Sequence, residues 1–130
     1  MMQRVLLKSK IHKAIVTGAN IDYEGSISID LNICREADLV EFEKVDIYNV
    51  TNGNRFSTYV IYGKEKEVSV NGAAARLVQK GDTVIIASYS NYDEAEIKNH
   101  RPTVLLMNKD NSINQILKKA SHEMNDSNAA

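Results

Sequence analysis

The dipeptide Gly25-Ser26, inside Tyr23-Glu24-Gly25-Ser26, is where this sequence could turn a side chain on its own backbone; no other Gly-Ser pair occurs in it. Glycine has no Cβ, so its carbonyl can be approached closely and its backbone held in conformations that other residues adopt only at a cost. The hydroxyl of the next residue could then attack that carbonyl. The same two residues also read as a plain turn entering a strand, since Gly and Ser dominate turns. Other chemistries find less to work with. His12, His100 and His122 stand far apart and Cys34 has no cysteine partner, so no zinc ligand set is spelled out and the expected metal is none. The six glycines are scattered singly, which makes no phosphate-cradling loop, and the Gly-x-Ser-x-Gly elbow of serine hydrolases is missing. His12, near Lys10 on a strand, reads from spacing alone as a structural polar pair. Asn71-Gly72 followed by Ala73, Ala74 and Ala75 reads as a hairpin turn and then tight packing.

The elements that must position these residues are mostly strands. Arg4 to Val16 holds β-branched and long apolar residues in short pieces and predicts one or two strands, with a turn after Thr17-Gly18-Ala19-Asn20. Ser26-Ile27-Ser28-Ile29-Asp30 alternates with period two, which predicts one buried face with the serines sharing the other. Leu31 to Leu39 predicts a short helix capped by Asp30, apolar at 31, 34 and 39. Val45 to Val50 and Arg55 to Tyr62 predict a hairpin about Asn52-Gly53. Within the second of these strands Arg55, Ser57 and Tyr59 share one face and Thr58 points to the other. Val68 to Val70, Thr83 to Tyr89 and Thr103 to Met107 complete the strands. Ile113, Ile116, Leu117 and Ala120 fall at helical spacing and predict a C-terminal helix, with a polar tail from His122 to Ala130.

Composition narrows the class. At 130 residues, 43% of them hydrophobic, the chain predicts one domain with one core, large enough to fold without disulfide or metal. Sixteen basic against 17 acidic residues, a net charge of −1, leave no basic footprint for nucleic acid. A lone cysteine and the lack of a long apolar run point to a cytoplasmic protein with no membrane partner. Short strands about ten residues apart, with turn dipeptides between them, favour a closed all-β barrel.

Four motifs taken in order then carry a resemblance. Tyr23-Glu24-Gly25-Ser26, Asn49-Val50-Thr51-Asn52-Gly53, Arg55-Phe56-Ser57-Thr58-Tyr59 and Ser69-Val70-Asn71-Gly72-Ala73-Ala74-Ala75 closely resemble the pyruvoyl-dependent aspartate 1-decarboxylase family, as does Gly81 to Ser88. The likeness runs from about Met1 to Met107 and thins after Arg101-Pro102. It implies a double-ψ β-barrel, which with the elements read from spacing makes a mainly β fold with short helices and a C-terminal helix. The barrel would occupy residues 1–110, and the helix and flexible tail 111–130.

The resemblance also implies a chemistry. Ser26 Oγ would attack the Gly25 carbonyl, the chain would part into a β chain 1–25 and an α chain 26–130, and Ser26 would become a covalent pyruvoyl cofactor. Thr58 matches the family's residue for the oxyanion of that cleavage and for contact with the substrate. Since Thr58 lies on the face opposite Arg55, it must reach the site by its backbone, across a strand crossing or across a subunit boundary. The substrate would be L-aspartate, decarboxylated to β-alanine for pantothenate synthesis, with Tyr59 as proton donor. Lys10, Arg55, Asn71, Gly72, Ala73 and Ala74 match substrate-binding positions, and His12 and Tyr23 match positions behind them. Tyr48 stands where the family can carry a larger aromatic. A homotetramer with sites at subunit interfaces is implied, and no maturation factor is specified by these motifs. A pyruvoyl decarboxylase for another amino acid such as glutamate, or an unprocessed barrel that only binds, stays open as an alternative.

Overall fold

Period-two alternation recurs along the chain, and the computed structural model, which describes residues 2–119, answers it with nine strands and little else. Strand β1 (Gln3–Ile15) is a single long strand, bent where its register slips between Leu7 and Ser9 and again between Ile11 and Ala14, with Lys13 at φ +64°. Gly18–Asn20 is strand β2, which finds a parallel partner in β6 (Val68–Asn71), and the turn expected after Asn20 follows at Ile21 and Asp22. Strand β3 (Ser26–Asp30) is buried at all five positions. Its serines were expected to face outward; Asn71 of β6 covers them, donating to Ser26 Oγ at 3.0 Å and Ser28 Oγ at 3.2 Å.

Helix α1 (Leu31–Glu36) is capped as expected by Asp30, which accepts from Asn32 N at 2.7 Å. It stops short of Leu39 because Asp38 takes φ +55°. Strands β4 (Lys44–Asn49) and β5 (Arg55–Gly63) form the hairpin, with Gly53 at φ +80°. Asn71 belongs to β6, and the turn expected there starts only at Gly72, φ +78°, which opens a 3-10 helix over Gly72–Leu77. Strand β7 (Thr83–Asp93) runs longer than expected and ends in a short helix α2 (Glu94–Ile97), started by a capping box between Asp93 and Glu96. Strand β8 (Thr103–Met107) follows Pro102.

The C-terminal helix is corrected over its described part. Residues Ile113–Lys118 form strand β9, antiparallel to β8. Helical spacing of three apolar residues loses here to the unpaired edge of β8, which offers backbone partners that a short two-turn helix could not replace. Ala120 and the tail from His122 lie outside the described residues.

The strands join in the order β2-β6-β3-β5-β4-β7-β1-β8-β9. The first of these and the seventh are consecutive in the chain, separated only by Val16 and Thr17. Thr17 N donates to Val68 O while Val16 N donates to Asp82 O, which ties this link to β6 and to the residue before Thr83. Strand β5 is the crossing point: its first half pairs antiparallel with β4 and its second half parallel with β3. The fold is mainly β, as the double-ψ β-barrel expectation requires. Ile11, Ile27, Ile29, Ile47, Val60, Val70, Ile86 and Leu105 fill the interior at 1% exposure or less. Burying each such side chain is worth about 1.5–3 kcal/mol, so the core fixes the register on which every outward-facing residue depends.

Candidate active site

The parallel register between β3 and β5 sets the geometry. Ile27 pairs with Val60. Gly25 and Ser26 stand immediately before Ile27, and Thr58 and Tyr59 immediately before Val60. Ser26 is 2% exposed, and its Oγ donates to Glu24 O at 3.1 Å while accepting from Asn71 Nδ2. The hydroxyl is thus held on both sides, folded back along the Glu24-Gly25-Ser26 turn. Beside it, Gly72 meets Gly25 so closely that a Cβ on Gly72 would stand 2.6 Å from Gly25 Cα and 3.2 Å from Tyr23 O. Only a glycine tolerates both that contact and a φ of +78°. A hollow of about 490 Å³ opens here, lined by Asn20, Tyr23, Ser28, Tyr62 and Asn71 among others.

Among the residues expected from sequence, the structure gathers Gly25, Ser26, Asn71 and Gly72 at one place, with the Tyr23 backbone against Gly72; Thr58 and Tyr59 lie on β5 just before the residue that pairs with Ile27. Ala73, exposed, and Ala74, half-buried against the core, continue from Gly72 in the 3-10 helix. The Tyr59 ring tilts against Phe42, centroids 6.2 Å apart. Thr58 is half-buried on the core-facing side of β5, at the crossing between β4 and β3.

Lys10 and Arg55 lie elsewhere, on the outer face of β1, β7, β4 and β5. The rows Ile11, Ile86, Ile47, Phe56 face the core, so the neighbouring row Lys10, Ala87, Asp46, Ser57 faces out. Ser57 Oγ donates to Asp46 Oδ1 at 2.6 Å. Arg55 pairs with Tyr48 across β4 and β5 and stacks on its ring, 4.6 Å from the guanidinium carbon to the centroid. Among the described residues neither Lys10 nor Arg55 has a carboxylate within ion-pair distance. Two cations without counter-ions on one face suit a ligand bearing two negative charges. His12, two residues on from Lys10, has a buried Nδ1 with no hydrogen-bond partner. Burial lowers its pKa, and the charges of Lys10, Lys13 and Lys119 lower it further, so its neutral form is favoured.

Sequence spacing did not expose two features. Ser28 shares Asn71 with Ser26, and Tyr89 Oη lies 2.8 Å from Tyr48 Oη. Both arise from strand pairings between distant segments, and no local pattern announces them. No group of three or more His, Cys, Asp or Glu side chains placed to hold a metal ion occurs among the described residues. No helix among them is long and apolar enough to cross a membrane.

Comparison with known proteins adds an independent line. The family model described as aspartate decarboxylase matches residues 2–114. A protein of Hydrogenobaculum sp. named aspartate 1-decarboxylase is 54% identical over 121 residues, which is 93% of this chain and 97% of that protein. Another of the same name, from Syntrophus aciditrophicus, is 55% identical over 114 residues, 86% of this chain and 98% of that one. A third, from Cupriavidus necator, is 47% identical over 119 residues, 90% and 99% of the two chains.

Proposed function

The chain belongs to the aspartate decarboxylase family, and from that premise we propose that it is an aspartate 1-decarboxylase, a carboxy-lyase. It converts L-aspartate to β-alanine and CO2 for pantothenate synthesis, with a pyruvoyl group made from its own Ser26. The observation that carries the cofactor is the buried Ser26 hydroxyl, gripped by Asn71 against a Gly25 that Gly72 alone leaves room for. That cradle fits a serine being rebuilt in place.

In the processing step Ser26 Oγ attacks the Gly25 carbonyl carbon, and the peptide C–N bond gives way to an ester as the proton passes from oxygen to nitrogen. Loss of the Ser26 Cα hydrogen breaks the ester, leaving Gly25 with a free carboxylate and position 26 as dehydroalanine. Water then replaces the nitrogen, which departs as ammonia, and the ketone remains. Thr58 is the residue that would donate to the oxyanion of the first step, and Asn71 keeps Oγ from swinging away.

The mature group supplies a carbonyl that captures the substrate amine and takes up the electron pair released with CO2. Around it, Tyr59 holds a phenolic proton beside position 26, where it returns to the substrate Cα once the carboxylate has left. Arg55 grips a carboxylate with two parallel hydrogen bonds and Lys10 adds a compact charge. Asn71, Gly72, Ala73 and Ala74 form a low wall along which the substrate can lie, with His12 and Tyr23 behind the contacting residues.

Among the described residues no hydrogen bond, ion pair or ring contact joins Lys10 or Arg55 to Ser26. The halves complete each other between copies of the chain, in a homotetramer whose sites lie at subunit interfaces. Exposed Val5, Ile21, Val40 and Phe42 offer apolar surface for such an assembly. A cytoplasmic location accords with the single buried thiol of Cys34.

Denaturing intact-mass measurement of the purified protein tests the cofactor. Fragments 1–25 and 26–130 are expected, the second lighter by one ammonia than a chain starting with serine. A single full-length mass that persists on warming would refute the self-made group. CO2 release from aspartate should far exceed that from glutamate, because one extra methylene separates the two carboxylates; equal rates would refute the aspartate assignment.

A further inference from the structure

Arg55 owes its orientation to a ring. Its guanidinium lies over Tyr48 at 4.6 Å, it is exposed, and among the described residues no carboxylate pairs with it. An arginine side chain has many rotamers, and a stacked planar face removes part of that freedom before a ligand arrives. The ring in turn is tied down from a third strand. Tyr48 pairs with Ile85 of β7, and Tyr89, four residues further along that strand, brings its Oη to 2.8 Å from Tyr48 Oη. The chain of contact runs Tyr89 to Tyr48 to Arg55, from β7 through β4 to β5. It borders a hollow of about 290 Å³ lined by Tyr48, Asn54, Arg55 and Ile85 among others.

We infer that Tyr89 is a positioning residue for substrate binding: its hydrogen bond to Tyr48 fixes the ring on which Arg55 stacks, and so sets the guanidinium in advance for a substrate carboxylate. The inference rests on the reading that Arg55 binds the substrate. The same hydrogen bond holds the Tyr48 phenol up at about 12, so the ring keeps its proton at any physiological pH and the pair does not come apart by ionisation. Tyr89 touches neither the substrate nor Ser26, so its effect falls on binding.

The test uses the mature, cleaved enzyme with two probes, L-aspartate turnover and succinate, a dicarboxylate without the reacting amine, titrated calorimetrically. Tyr89→Phe should leave cleavage at Gly25-Ser26 and kcat nearly unchanged while raising the aspartate KM and the succinate Kd by about three- to tenfold. Tyr48→Phe, which removes the same bond from the other side and keeps the ring, should do the same. The double variant should be no worse than either single one. In an Arg55→Ala background, itself much weaker for succinate, Tyr89→Phe should add nothing. Unchanged KM and Kd in Tyr89→Phe, a fall in kcat alone, or an equal loss with Arg55 absent would overturn the inference while leaving the Arg55 reading intact. If Arg55→Ala binds succinate as the parent does, that reading fails first and takes the inference with it.

Discussion

In the function proposed, the Ser26 and Tyr59 hydroxyls serve different steps, and single substitutions separate them. Ser26→Ala removes the attacking oxygen and should leave one uncleaved chain of full mass with no CO2 release. Tyr59→Phe keeps the ring against Phe42 and loses only the proton. It should cleave normally and then turn over on the order of 10²- to 10⁴-fold more slowly, the usual worth of a positioned acid; wild-type CO2 release from Tyr59→Phe would remove Tyr59 from that role. Cys34 was legible as a small buried residue and no more. Its thiol is fully buried, and burial first, then the charges of Asp30, Glu43 and Glu41, pushes it up to about 12. It is an inert packing group.

At the scale of the element, the 3-10 helix and the Lys8–Glu43 clamp do the positioning. Gly72 opens the 3-10 helix at φ +78° against the Gly25 backbone. Gly72→Ala therefore forces the turn before Ser26 outward and should slow or abolish cleavage while the barrel still folds, which mass spectrometry and circular dichroism would show together. Full cleavage at the parent rate would mean that the close approach does not matter. Glu43 ties the loop after α1 to the barrel: Lys8 Nζ lies 2.9 Å from its carboxylate, Ser88 Oγ donates to it and Val40 N donates at 3.1 Å. Burial alone would raise its pKa, but the bonds from Ser88, Lys8 and Val40 outweigh it and the net shift is downward. The stability it contributes is then present above the ordinary carboxylate value of 4.5 and is lost as pH falls through the lower folded value. Glu43→Gln should lower Tm by several degrees at pH 7, with the gap to the parent closing in acid. A gap that stayed constant down to pH 3 would contradict this.

For the molecule as a whole, the proposed assembly predicts sites shared between two copies of the chain. Co-expressed Ser26→Ala and Arg55→Ala chains, each inactive or nearly so alone, should recover activity when mixed, because some interfaces join the intact half of one to the intact half of the other. Recovery should track with tetramer in native mass spectra. No recovery in mixed tetramers would place the whole site within one chain.

Much of this was legible in the residues. Alternation at Ser26–Asp30, Val45–Val50 and Arg55–Tyr62, and the Asn52-Gly53 turn between the last two, determined strands within a residue of their places, because side-chain period and turn chemistry are local properties. Four motifs in order were enough to imply the family. What remained hidden was non-local. Period two assigned the serines of β3 to an open face, but β6 brought Asn71 over them. Helical spacing at Ile113 to Leu117 gave way to the free edge of β8. The Tyr48–Tyr89 bond and the Asn71–Ser26 bond depend on which strands meet and in what register. That choice is made by the burial of Ile11, Ile27, Ile47 and Ile86 in a shared core, a collective energy that no short window of sequence contains.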